Sequence, residues 1–286
     1  MDQELYDVAQ GIRGTLAKYQ TENNLSFVED THTYYIKDKS GNIISNMPSV
    51  STVLESFYTP FNAKATRAFK NCNGDPNKEA ALLKEWSDSG DYAANKGSRV
   101  HYMLEKNLIE SYGNFKQVRQ PIFTCDKQQI IFGDNMIKSG MEFINLMHSR
   151  GAIMLDTEII MGSLSLGYFG QPDNTWLIRT QDGRIGIIIT DWKTNKPKNF
   201  QVHSYTKKMK APFKAYPDTA LSHYYVQIPL YGKLLLNMLE NTIYKNVPLL
   251  GGVVVLLKDE GGFEEFKIPK DVVDTVKALN MKKYIK

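Results

Sequence analysis

Residues 167–196 read GYFGQPDNTWLIRTQDGRIGIIITDWKTNK. Ile185 to Thr190 is a short apolar, β-branched run opened by the turn Asp182-Gly183, and Trp176, Leu177 and Ile178 form a partner run. Two such runs about a turn predict a β-hairpin. Side chains on a strand alternate between faces, so Asp191 and Lys193 point one way and Trp192 the other. Asp173 enters from a Gly-Gln-Pro turn ahead of the partner strand. The pattern gathers two carboxylates and an ammonium at one edge of a sheet.

Such a trio suits metal-assisted hydrolysis of a phosphodiester. Mg²⁺ takes hard oxygen ligands from one or two carboxylates, with water and substrate phosphate completing its shell. The ion polarises the phosphoryl group and lowers the pKa of a bound water. A lysine beside it can orient that water or stabilise charge on phosphorus. Taken singly, Asp173 or Asp191 reads as an ordinary turn aspartate of a surface hairpin. The combination of Gly, Pro-Asp, an apolar strand and Asp-x-Lys favours the chemical reading.

Pro172-Asp173 followed by Asp191-Trp192-Lys193-Thr194 resembles the PD-(D/E)xK nuclease superfamily, in particular its RecB-like branch. That branch favours Asp-Trp-Lys-Thr, and its members carry an upstream histidine and a downstream Gln-x-x-x-Tyr. The matching segments here are Gly97-Ser98-Arg99-Val100-His101 and Gln227-Ile228-Pro229-Leu230-Tyr231, in the family's order. Within the branch the chain looks most like phage exonucleases and the mitochondrial genome maintenance exonuclease. That narrower likeness rests on residues 48–54 (PSVSTVL), on Trp86 in a charged helix and on the Gly-x-x-x-His. The resemblance implies Mg²⁺ or Mn²⁺ held by Asp173, Asp191 and His101, with Glu158 as a further candidate ligand. It implies Lys193 aligning the attacking water, and Gln227 and Tyr231 supporting substrate or the lysine. DNA is the implied partner, single-stranded for preference, with replication or recombination proteins alongside.

Composition sets outer limits. The 286 residues suit one large domain, or one domain with a helical subdomain, and 42% apolar residues suffice for a sizeable core. Two cysteines, Cys72 and Cys125, permit one disulfide or suit a reducing compartment, and they cannot supply the four thiolates of an iron–sulfur cluster. No apolar run reaches the ~20 residues that span a bilayer. The start, MDQELYDVAQ, lacks a signal-peptide pattern, so the expectation is a cytoplasmic protein without a membrane partner.

The net charge is +4, and its distribution is uneven. Lys193, Lys196, Lys198, Lys207, Lys208, Lys210 and Lys214 fall in one stretch without an acid, interleaved with Phe200, Tyr205 and Phe213. A basic run next to a metal site is where a phosphate backbone would lie, and interleaved aromatics offer faces for unstacked bases. The plainer reading is a solvated lysine loop.

The remaining elements follow from local signals. Gln3 to Lys18 reads as a packed amphipathic helix. Thr31 to Ile36 and Ile43-Ile44 read as a hairpin, and Ser49 and Ser51 as caps of a helix near Ser51 to Phe57. Residues 59–96 read as a helical insertion. Gly97 to Ile109 predicts a helix with His101 and Glu105 on one face. Without the family, His101 is a packed or surface histidine. Lys127 to Arg150 predicts a long helix ended by Gly151. Ala152 to Met161 predicts a strand carrying Glu158, either near the metal or exposed. Thr219 to Leu239 predicts a helix on which Tyr224, Gln227 and Tyr231 share a face and Pro229 introduces a kink or break. Leu249 to Leu257 and Phe263 to Ile268 predict strands, and a helix follows Pro269.

The expected fold is α/β: a restriction-endonuclease-like core with a mixed central sheet flanked by helices, plus a helical N-terminal elaboration. The division expected is 1–96 for the N-terminal hairpin and helical elaboration and 97–286 for the nuclease core. The expected function is a metal-dependent, single-strand-preferring exonuclease. The alternatives are a catalytically inactive nucleic-acid-binding or recombination-accessory protein, and an endonuclease on branched or duplex DNA.

Overall fold

The computed structural model describes residues 2–62, 64, 66–113, 115–203 and 206–285. Its centre is the predicted hairpin. Strands β7 (Asn174–Arg179) and β8 (Ile185–Lys193) pair antiparallel, with Asn174 opposite Thr190, and Gly183 takes a φ of 84° in the turn. Five strands form the main sheet, in the order β10 (Phe263–Lys267), β9 (Leu249–Leu257), β8, β7, β4 (Ile153–Thr157). Only β8 and β9 run parallel. A parallel pair needs a crossover, here helix α6 (Ala220–Leu239).

Strand alternation sorts the core into two layers. Leu155, Leu177, Ile187, Ile189 and Val254 face one cluster, with helices α1 (Gln3–Glu22), α2 (Val50–Leu54), α6 and α7 (Lys270–Ala278). Met154, Trp176, Trp192, Val253 and Val255 face the other, with α4 (Pro76–Tyr112) and α5 (Asp134–Ser149). The result is a mixed sheet with helices on both faces. A three-stranded sheet of β1 (Ser26–Val28), β2 (Thr33–Lys37) and β3 (Ile43–Ile44) joins it through Tyr34, stacked on Phe169 at 5.4 Å. Phe169 lies in the small hairpin of β5 (Met161–Ser163) and β6 (Tyr168–Gly170). A short helix α3 (Arg67–Lys70) precedes α4.

Several boundaries differ from the sequence reading. The helix expected from Gly97 starts at Pro76, capped by Asp75, and runs through residues 96 and 97 without a break. A division at that point therefore falls inside one helix. Helix α1 is also part of the main core, burying Leu5, Ala9, Ile12 and Leu16 against the sheet. The helix expected from Lys127 starts only at Asp134, because Thr124 bridges to Ile130 in extended backbone. The strand expected over Ala152 to Met161 stops at Thr157, where Glu158 turns the chain with a φ of 50°. Pro229 sits inside α6, which is continuous past it. Ser49 caps α2, accepting from Thr52 N at 3.2 Å, and Ser51 is inside the helix. Both cysteines are free. Among the described residues no helix is long and apolar enough to cross a membrane.

Candidate active site

The site forms where β7 and β8 meet and α4 crosses close by. A Cβ at Gly97 would stand 3.1 Å from Thr194 Oγ1, so glycine lets α4 approach the end of β8. Lys96 pairs with Asp259 and Arg99 with Asp134, each at 2.7 Å, fixing the helix on its flank. One turn beyond Gly97, His101 Nδ1 lies 2.8 Å from Asp173 Oδ1 and 3.7 Å from Glu158 Oε1.

Asp173 is buried just before β7, and its Oδ2 accepts from Trp192 N at 2.5 Å. Glu158 N donates to Asp173 O at 2.9 Å, which with the positive φ turns the Glu158 side chain inward. Glu158 is 2% exposed, so the exposed-strand reading does not hold. Its Oε1 accepts from Arg119 Nε at 2.5 Å and its Oε2 from Gln171 Nε2 at 2.8 Å. One ligand atom from each of His101, Glu158 and Asp173 lies within 4.8 Å of the others.

Asp191 and Lys193 follow on β8, on the face opposite Trp192 as strand alternation requires. Lys193 Nζ contacts Asp191 Oδ2 and lies 4.3 Å from the centre of the Tyr224 ring. Tyr224 donates to Asn195 Oδ1 at 2.8 Å, and Gln227 Nε2 donates to Tyr231 OH at 3.1 Å. Of the face predicted for α6, Tyr224 is thus the residue set against Lys193, and Gln227 and Tyr231 bond to each other. Tyr231 is 6% exposed and packs in the core; Gly170, whose Cβ would be 2.8 Å from Tyr231 Cδ1, makes room for it.

These charges shape one another. Burial, then repulsion from Asp173, pushes the Asp191 carboxyl up to about 6. Burial lowers His101, but Asp173 beside it carries the imidazole up to about 9. Burial likewise opposes the Lys193 ammonium, and the Asp191 charge outweighs it and raises the group. Burial raises Glu158, yet Arg119 holds it below its usual range. His101 Nδ1, Asp191 Oδ2 and Gln227 Oε1 are buried without a well-aligned hydrogen bond; the first two have charge contacts only. Two carboxylates and an imidazole within 4.8 Å of one another, with His101 Nδ1 lacking a well-aligned hydrogen bond, fit a divalent cation; Asp191 adjoins this cluster without being part of it.

Arg119, Glu105 and Gln171 were not identified as site residues from sequence. Arg119 comes from the irregular segment after α4. Its place is set by the buried Glu105, which accepts from Val118 N at 2.6 Å, from Arg119 N at 3.0 Å and from the Gln117 side chain. The one sequence signal was Glu105, four residues from His101 on the same helical face.

The basic run divides. Lys196 and Lys198 border a groove of about 780 Å³ with Tyr92, Lys96, Phe132 and Thr194, next to the end of β8. Lys207, Lys208, Lys210 and Lys214 are exposed on a loop that leads into α6. Lys210 N donates to Phe57 O at 2.7 Å there. Of the interleaved aromatics, Phe213 does not offer the open face that the sequence suggested. Phe213 is 2% exposed and meets Phe57 edge-on at 5.1 Å, and Phe200 packs on Tyr224 and Phe266. Tyr205 lies outside the described residues.

No protein-family model matches this chain, and no curated protein matches it in sequence.

Proposed function

We propose that this chain is a divalent-metal-dependent deoxyribonuclease with a restriction-endonuclease-like core, of the RecB-like branch of the PD-(D/E)xK superfamily. The observation that carries the proposal is the convergence of His101, Glu158 and Asp173, from three separate elements, beside Asp191 and Lys193 on β8. His101, Asp173, Asp191 and Lys193 were singled out by motif order, and Glu158 because the resemblance implies an acid near the metal from this part of the fold.

Glu158 and Asp173 would hold Mg²⁺ or Mn²⁺, with His101 as a ligand in its neutral form, which the ion's charge would favour over the imidazolium, and with Asp191 adjoining. The ion supplies charge stabilisation at the phosphoryl oxygens and a water activated for attack. Lys193 keeps its proton and presents a donor at the same point, where negative charge grows on phosphorus. Tyr224 limits where its ammonium can go. Gln227 offers a free acceptor, Oε1, and orients Tyr231. The groove with Tyr92, Phe132, Lys196 and Lys198 supports a single strand as substrate, since it joins aromatic faces to positive charge; its third lysine, Lys96, is paired with Asp259. Exonuclease action and work beside replication or recombination proteins rest on the resemblance.

A non-catalytic DNA-binding protein is the second reading. Arg119 favours it, because it neutralises Glu158 and Asp173 without any ion. Purified protein with labelled linear single-stranded DNA separates the two. Cleavage in Mg²⁺ or Mn²⁺ that stops in EDTA and in Asp191→Ala and Lys193→Ala is the expected result. Cleavage that persists in both variants refutes this site, and intact closed circles distinguish exonuclease from endonuclease.

A further inference from the structure

Arg119 sits where a metal ion and a phosphate would both act. Its Nε donates to Glu158 Oε1 at 2.5 Å and its Nη2 lies 3.6 Å from Asp173 Oδ1. Asp173 Oδ1 is also the oxygen facing His101. The other oxygens are engaged elsewhere, Glu158 Oε2 by Gln171 and Asp173 Oδ2 by Trp192 N. The carboxylate oxygens nearest His101 are thus the ones that Arg119 contacts, and a cation held among the three residues competes with it.

Arg119 cannot leave the site altogether. Glu105 holds the amides of Val118 and Arg119, so the backbone stays and only the side chain can swing. A guanidinium that loses its carboxylates in a largely buried place needs another anion. Its planar fork matches two phosphate oxygens better than an ammonium does.

We propose that Arg119 is a substrate-phosphate-binding residue: it occupies the metal's carboxylates until a divalent cation displaces it, and then clamps the phosphodiester drawn to that cation. The proposal rests on the nuclease reading above and specifies the order of events, cation first and DNA second. Displacing the arginine costs part of the cation's affinity, and DNA regains part of it.

Arg119→Ala is titrated with Mn²⁺ by calorimetry without DNA, and with a labelled oligonucleotide by anisotropy in Ca²⁺. Expected are Mn²⁺ affinity raised ~10-fold and oligonucleotide affinity lowered ~10-fold, each the equivalent of one modest charged contact. Arg119→Lys, which keeps the charge without the fork, should lie between wild type and Arg119→Ala in both titrations and serves if the alanine variant does not fold. A purely structural arginine would lower both affinities, and that result overturns the proposal. Tighter Mn²⁺ with unchanged DNA binding also overturns it, because the phosphate clamp is then absent. Asp173→Ala is the control for the site itself. If neither wild type nor Arg119→Ala binds Mn²⁺ in an Asp173-dependent way, the metal centre fails, and the proposal with it.

Discussion

His101 Nδ1 stands 2.8 Å from Asp173 Oδ1, although one residue lies in the middle of a long helix and the other in a turn before a strand. This contact closes the candidate centre, because it ties α4 to Asp173, whose other oxygen accepts from Trp192 N on β8. Replacing His101 with alanine should weaken Mn²⁺ binding by at least ~10-fold, the lower end of what partners of metal ligands contribute. Calorimetric titration checks it; an unchanged affinity would return His101 to a packing role.

On the proposed reading, Lys193 serves charge on the phosphoryl oxygens rather than holding DNA. Its ammonium is confined between Asp191 and the Tyr224 ring. Lys193→Ala should lower turnover by ~10²–10³, the usual scale for one preorganised donor. DNA affinity in Ca²⁺ should change much less, so KM and kcat separate. An equal loss in both would make Lys193 a binding residue.

Trp192 lies between Asp191 and Lys193 but points to the other face of the sheet and serves packing. It is 2% exposed and meets Phe143 edge-on at 5.5 Å. Trp192→Ala should destabilise the fold by ~3–5 kcal/mol. Denaturant unfolding measures this, and a loss under ~1 kcal/mol would contradict the packing described.

The hairpin, the buried strand β9 and helix α6 were legible because their periods are clean. Trp176 and Leu177 separate onto two faces as alternation demands, and Leu249 to Leu257 is apolar throughout. Helix α4 was read as two pieces, a helical insertion up to residue 96 and a helix from Gly97, whereas it is continuous and Gly97 answers to a tertiary approach to Thr194. The segment before α5 was read as helix because Ile130 and Ile131 look like core. Ile131 is indeed buried at 2% exposure, whereas Ile130 is 65% exposed, so only one of the pair belongs to the core. Arg119 was beyond reach because no periodicity links an arginine in an irregular segment to Glu158. Only the folded anchoring by Glu105 does so.

Lys196 and Lys198 border the groove at the end of β8. If both meet phosphates, replacing them with alanine should flatten the salt dependence of single-strand binding by up to ~1.4 in log–log slope, about 0.7 per contact. Anisotropy across a salt series measures this. An unchanged slope would place the strand elsewhere, with the exposed lysines 207, 208 and 210 next to be tested.

His148 gives a pH dependence away from the site. Burial lowers its pKa, opposed by its backbone bond near Ala152, and its ring packs against Tyr112 and Trp176 at 5.0 and 5.4 Å. A depressed histidine favours the neutral folded form. Its stability contribution is present above the unfolded pKa of about 6.5 and is lost as pH falls through the lowered folded value. Thermal melts from pH 7 down to 5 should therefore show a fall in Tm that His148→Gln reduces. An identical fall in the variant would assign the effect to other groups.

The most direct measurement is anomalous diffraction from crystals grown with Mn²⁺ and a short single-stranded oligonucleotide. The expected result is a Mn²⁺ peak bonded to His101, Glu158 and Asp173, with a phosphodiester between that ion and Lys193 and with Arg119 turned from Glu158 to the phosphate. No peak at those residues, or DNA bound away from Lys193, would contradict a phosphodiester-cleaving metal centre in this fold.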